Sequence, residues 1–159
     1  SDSLSRDHFP RDNLRMNKIK ELPLWIGNAS DLRDLKQLYD QEIQAVLALA
    51  AEEPISTFGR DLIYCRIPIL DGIGNSSARL KFAIETLIKL LVDNVSTLVV
   101  CSAGLSRTPC IAAGAISILS QTAPEECLKT ISDHQRLDVS SSLWSDVLKV
   151  FSQLDLGKI

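Results

Sequence analysis

The chain has 159 residues, 45% of them apolar and 23% charged, enough for one domain with a single core and too few for two. Seventeen basic residues against twenty acidic ones give a formal net charge of −3, which excludes an overall positive field that would gather nucleic acid or an anionic membrane. The four cysteines, Cys65, Cys101, Cys110 and Cys127, form no CxxC or Cys/His pattern, and the histidines are His8 and His134, so neither a structural metal nor a disulfide framework is expected.

Residues 1–18 are polar and charged and are expected to form a mobile tail ahead of a single domain at 19–159. The opening residues contain no apolar core of the signal-peptide kind, and no apolar run reaches transmembrane length. A cytoplasmic, reducing setting is therefore the expectation. Leu22 to Ile26 reads as a short strand ended by Gly27-Asn28. Ser30 is placed to cap a helix over 31–40, with Leu32, Leu35 and Leu38 at helical spacing. Ile43 to Leu49 reads as a buried strand, residues 50–61 as a loop, and Leu62 to Pro68 as another strand. Asp71 to Ser77 is a second loop, rich in glycine and serine.

A helix over 77–93 follows, with its apolar stripe through Leu80, Ala83, Ile84, Leu87 and Leu91. Val95 to Val100 is the next strand. Three helical patterns close the chain, over 108–121, over 124–134 behind a capping box Thr122…Glu125, and over 141–154. Buried, alternation-free strands between helices imply an α/β fold: a central, mostly parallel sheet of four to five strands flanked by helices in three layers.

The chemistry concentrates after the last strand. Cys101-Ser102-Ala103-Gly104-Leu105-Ser106-Arg107 would leave a strand's C-terminal end and enter a helix through Thr108-Pro109. Small residues let the main-chain N–H groups of residues 102–107 turn inward, and the following helix adds its positive end, a combination suited to a dianion. The same donors favour thiolate over thiol at Cys101. Arg107 can fork two N–H bonds onto phosphate oxygens, and Thr108 brings a hydroxyl near the sulfur.

The segment Val99 to Pro109 resembles the phosphate loop of cysteine-dependent protein tyrosine phosphatases, in particular the small dual-specificity group. Leu24-Trp25-Ile26-Gly27-Asn28 resembles that group's opening strand, and Ile67-Pro68-Ile69-Leu70-Asp71 resembles the strand and loop that bring its general acid. The likeness runs from about residue 20 to about 153. Low-molecular-weight phosphatases and arsenate reductases also carry CxxxxxR, but near the N-terminus and ahead of their acid; here the loop comes late and the aspartate precedes it.

The resemblance implies a three-layer phosphatase fold and hydrolysis of phosphotyrosine and phosphoserine/threonine in proteins through a phosphocysteine. It implies Cys101 as nucleophile, Arg107 and the amides of Ser102, Ala103, Gly104, Leu105, Ser106 and Arg107 as the phosphate cradle, Asp71 as general acid, and Thr108 as hydrogen-bond partner of the sulfur. No metal or organic cofactor is implied. The expected partner is a phosphoprotein or phosphopeptide, with no nucleic acid and no membrane. Uncharged residues at 102, 103, 105 and 106 disfavour a phosphoinositide. The alternatives are a phosphatase of a non-protein phosphate, such as a nucleotide, RNA end or sugar, and a phosphate-binding pseudophosphatase adaptor.

Two departures stand out. Val100 occupies a position where the family commonly has histidine, so support for the loop there is expected to be weaker, and Leu137 to Ser142 lacks the family's proline and asparagine, which leaves support from that side open. Trp25 and Trp144 are expected to pack in the core, and Arg136 to be a helix-end surface cation.

Overall fold

Each apolar run read as a strand pairs in the sheet, but every strand lies further toward its C-terminal end than hydrophobicity alone suggests. The computed structural model describes residues 16–19, 21–59 and 61–154, so residues 1–15 of the expected tail lie outside the described residues. The strands are β1 (Asn17–Lys18), β2 (Leu24–Asn28), β3 (Ala45–Ala50), β4 (Ile63–Ile69) and β5 (Thr97–Cys101). The last residues of β2 and β5 are Gly27, Asn28 and Cys101, which carry little hydrophobic signal yet continue the parallel ladder, with Gly27 opposite Val100 and Asn28 opposite Cys101.

The expectation of a tail through residue 18 is corrected. Asn17 and Lys18 pair antiparallel with Ile26 and Trp25, and Met16 is buried in the cluster beneath them. A two-residue strand has no periodicity to detect, so the polar sequence conceals it.

The sheet order is β1-β2-β5-β3-β4, parallel except for β1. β5 is thus inserted between two strands that precede it in the chain. The loops leaving β2 and β3 reach it from opposite sides, and a crevice at the carboxyl edge of such a strand is where α/β sheets bind ligands.

Helices α1 (Leu35–Asp40), α2 (Ser77–Val92), α3 (Arg107–Ser120), α4 (Pro124–Ser132) and α5 (Ser141–Gln153) complete the chain. α2 buries Leu80, Ala83, Ile84, Leu87, Ile88 and Leu91, the stripe expected from its spacing with Ile88 added. Burying each large apolar side chain contributes roughly 1.5–3 kcal/mol. These residues join Ile111, Ala112 and Ala115 of α3 and Leu143, Val147 and Val150 of α5 in one core on that face of the sheet. The opposite face carries a smaller cluster of Met16, Leu38, Ile43, Val46, Ala48, Leu98 and Val100. Trp25 packs on the smaller cluster and Trp144 on the larger.

Two caps differ from expectation. Asn28, not Ser30, caps the first turn: its side chain accepts from Ser30 N at 2.9 Å while Asp31 accepts from Asn28 N at 2.8 Å. The turn is a 3-10 helix over Ala29–Arg33, and Asp34 then caps the short α1, so the expected continuous helix over 31–40 is split. Leu35 lies 44% exposed as a result. α4 begins at Pro124 with Ala123 as its cap residue, and Thr122 bonds Ser120 O instead of closing a capping box with Glu125. Proline is preorganised for the first helical position, which fixes the start one residue later than Thr122 could cap.

Among the described residues no helix is long and apolar enough to cross a membrane.

Candidate active site

β5 delivers Cys101, 3% exposed, to the carboxyl edge of the sheet, and the chain loops through residues 102–106 before α3 starts at Arg107. The loop's carbonyl oxygens are occupied from outside. Ser102 O accepts from Ala29 N at 3.1 Å, Leu105 O from Asp138 N at 2.9 Å and Ser106 O from Cys110 N at 3.0 Å. Gly104 O accepts from Gln135 Nε2 at 2.7 Å. A trans peptide holds its C=O and the next residue's N–H on opposite sides. Carbonyls turned outward therefore aim the amides of Ala103, Leu105, Ser106 and Arg107 inward.

Gly104 makes this path feasible. Its φ is +76°, and a Cβ there would meet Gly27 O at 2.6 Å. Loop and strand β2 thus approach backbone to backbone, which only glycine permits.

Two buried polar atoms at the start of α3 have no hydrogen-bond partner: Arg107 Nε and Thr108 Oγ1. Leaving such groups unpaired costs on the order of 1–3 kcal/mol each unless a ligand completes them. The rest of the guanidinium is gripped. Arg107 Nη1 and Nη2 donate to Glu52 Oε1 and Oε2 at 2.5 and 2.6 Å, and Nη1 also donates to Ile69 O at 3.1 Å. Ser102 Oγ lies 2.7 Å from Glu52 Oε2 and 2.8 Å from Glu53 Oε2.

Charge follows this geometry. The hydrogen bond from Arg107 holds the Glu52 carboxyl at about 2, although partial burial opposes it. Burial also works against the charge on Arg107, but the hydrogen bond to Glu52 and the charges of Cys101, Glu52 and Asp71 outweigh it and raise its pKa. In the first turns of α3, burial, with the charges of Asp71 and Cys101 adding to it, pushes the Cys110 thiol up to about 12.

Asp71 sits on the loop after β4, and it reaches the loop between Cys101 and Arg107: Ser106 Oγ donates to Asp71 Oδ1 at 2.6 Å. Its loop is closed by Asn75, whose Oδ1 accepts from Leu70 N at 2.8 Å and whose Nδ2 donates to Leu70 O at 2.8 Å and Gly72 O at 3.3 Å.

The residues singled out from the sequence, Cys101 to Thr108 with Asp71, thus lie together at one edge of the sheet. Glu52 and Gln135 join them without having been singled out. Nothing in the sequence marks Glu52 as a neighbour of Arg107, because only the sheet order brings β3 beside β5. Support from the 137–142 segment, left open by the sequence, comes from the main-chain N–H groups of Asp138 and Ser140. Val100 packs in the smaller apolar cluster, along a small open pocket that also borders Ala48, Ala50 and Cys101. Arg136 is exposed, and His134 bonds Thr130 O within its own helix end. Among the described residues no group of His, Cys, Asp and Glu is arranged to hold a metal ion.

Comparison with solved structures matches this architecture over most of the chain. A mouse protein described as a dual specificity phosphatase, complexed with zinc tungstate, is 16% identical, with 91% of each chain covered and a TM-score of 0.79. Human DUSP28 is 14% identical, over 87% of this chain and 93% of its own, at a TM-score of 0.76. The fold is the dual-specificity phosphatase fold. PTPMT1 in complex with PI(5)P shares it at 16% identity, over 82% of this chain and 90% of its own, with a TM-score of 0.66. No protein-family model matches the chain, and no curated protein matches it in sequence.

Proposed function

We propose that this protein is a cysteine-dependent phosphatase that hydrolyses phosphomonoesters on tyrosine and serine/threonine side chains of proteins. The reading is carried by the buried, unpartnered Arg107 Nε and Thr108 Oγ1 at the end of a loop whose Ser102, Gly104, Leu105 and Ser106 carbonyls are bonded away from its centre. A phosphate seated in the loop supplies an oxygen to Arg107 Nε; Thr108 Oγ1, expected to bond the sulfur, makes no hydrogen bond to Cys101 Sγ here and would reach it only after a shift of its side chain.

In the first step a lone pair on Cys101 Sγ forms the S–P bond as the P–O bond to the leaving group breaks. The departing oxygen takes the bonding pair and a proton from Asp71. The inward amides and Arg107 meet the charge that spreads over the equatorial oxygens. In the second step water attacks phosphorus, Asp71 takes its proton, and the S–P pair returns to sulfur, eased by the Thr108 hydroxyl. An alkoxide or phenoxide leaves poorly without a proton, and a positioned acid contributes about 10²–10⁴-fold.

Turnover of p-nitrophenyl phosphate and of phosphotyrosine and phosphoserine peptides by wild type and Cys101→Ser tests this. The expected result is release by wild type and a loss of at least about a thousandfold in the variant. Equal background release by both sinks the enzyme reading and leaves a phosphate-binding adaptor.

A second reading is supported by the likeness to PTPMT1 bound to PI(5)P: a non-protein phosphomonoester as substrate. Against a polyphosphorylated one stand the uncharged side chains of residues 102–106 and the carboxylates of Glu52 and Glu53 beside Ser102. A panel of phosphopeptides, phosphoinositides and phosphosugars at equal concentration separates the two readings.

A further inference from the structure

Ser106 is the cap residue of α3, a position whose hydroxyl ordinarily accepts an N–H from the helix's first turn. Here it makes no such bond. Its oxygen instead accepts the main-chain N–H of Ser140 at 2.9 Å and donates to Asp71 Oδ1 at 2.6 Å. A hydroxyl has one proton and two acceptor sites. An amide can only donate, so the Ser140 N–H occupies an acceptor site of Ser106 Oγ and leaves the Ser106 proton to lie along the bond to Asp71.

Ser140 is held in turn, because its own Oγ caps α5 by accepting from Leu143 N at 3.3 Å. The acid loop is independently fixed by the three Asn75 bonds to Leu70 and Gly72. Ser106, 5% exposed, is thus shared by three segments: the phosphate loop, the acid loop and the start of α5.

We propose that Ser106 is a positioning residue for Asp71. Its hydroxyl, oriented by the Ser140 amide, holds the carboxyl over the phosphate loop and commits Oδ1 to accepting a hydrogen bond. Oδ2 is then the oxygen that gives its proton to the leaving group in the first step and takes one from water in the second. This rests on Asp71 acting as the acid and base proposed above. It also accounts for the absent side-chain cap: the N-terminal amides of α3 stay free for an anion, and the serine serves the proton donor.

The test compares two substrates in the same enzyme sample. A phosphoserine peptide has an alkoxide leaving group that needs a proton, whereas 6,8-difluoro-4-methylumbelliferyl phosphate has a phenol acidic enough to leave almost unaided. Ser106→Ala is expected to lose at least about tenfold more kcat/KM on the peptide than on the aryl phosphate, within the range that general-acid catalysis supplies; kcat/KM reads the first step alone, whereas hydrolysis of the phosphocysteine is common to both substrates. Ser106→Gly removes the same hydroxyl and is expected to give the same ratio. The ratio cancels any inactive fraction, so poor folding of either variant does not produce it.

Equal losses of kcat/KM on both substrates overturn the proposal. Asp71→Asn runs alongside. If it shows the leaving-group-dependent loss and the Ser106 variants do not, only the role of Ser106 fails. If Asp71→Asn shows none, the acid assignment itself fails and the role of Ser106 falls with it.

Discussion

The phosphate loop and the acid loop are built on opposite principles. The first, residues 102–106, is held mainly through its own carbonyls, with donors from β2's end, Gln135, Asp138 and α3. The second, Leu70 to Asn75, is held by side chains, those of Asn75 and Ser106. In the first, Gly104 and Ser106 are buried and run into the buried Arg107 and Thr108 of α3, with Ala103 exposed at its tip. The second is open, with Ile73 76% exposed and Leu70 49% exposed. Charge stabilisation needs donors that do not reorganise when charge develops. A proton donor must instead meet leaving groups of different sizes, and an exposed loop pinned at a few points leaves room for them.

The sharpest break of this contrast is Arg107→Lys, which keeps the charge but loses the fork shared between Glu52 and the ligand. kcat/KM on both substrates is expected to fall by about 10²–10³, the scale of losing a preorganised oxyanion donor. Steady-state kinetics checks this, with unchanged circular dichroism as the control for folding.

Gly104→Ala comes next. The added Cβ would lie 2.6 Å from Gly27 O on a residue with φ of +76°, a conformation costing on the order of 1–3 kcal/mol for other residues. Vanadate inhibition, which reads the anion seat alone, should weaken by about 10–100-fold.

Glu52→Gln is smaller and has a pH signature. The folded-state pKa of about 2 is depressed, so the carboxylate's contribution to stability is present above its unfolded value of roughly 4.3 and is lost as pH falls toward about 2. The urea midpoint difference between wild type and Glu52→Gln should therefore be constant from pH 5 to 8 and shrink below about pH 4.3. A difference that peaks near neutrality would remove Glu52 from its place on Arg107.

The smallest effect is expected at Asn75→Ala, which releases the acid loop without touching the phosphate loop. Losing hydrogen bonds worth about 1 kcal/mol each predicts a drop of about fivefold on phosphoserine peptides. Vanadate inhibition should stay where it is in wild type. A matching loss of vanadate affinity would show that the two loops are not separable.

How far the sequence reached follows from the same physics. Cys101, Gly104 and Arg107 are visible because a side chain must do something specific at each position, and α2 is visible because burial recurs at helical spacing. The donors from Ala29, Asp138 and Ser140 are main-chain groups and leave no trace in residue identity. Glu52 is invisible for another reason. It lies 55 residues from Arg107, and only the insertion of β5 beside β3 brings them together. The division of 31–40 into a 3-10 turn and α1 turned on Asn28 and Asp34, polar residues whose capping competed with the spacing of three leucines.

The ionisation of the remaining thiols has a practical consequence. Burial pushes Cys65, Cys110 and Cys127 above the ordinary thiol range, and the un-ionised form is a poor nucleophile toward alkylating agents. A brief exposure to iodoacetamide at neutral pH is therefore expected to leave these three sulfurs largely unmodified. With Cys101 as the nucleophile proposed above, a single added mass that vanadate suppresses is expected, and peptide mapping should place it on Cys101.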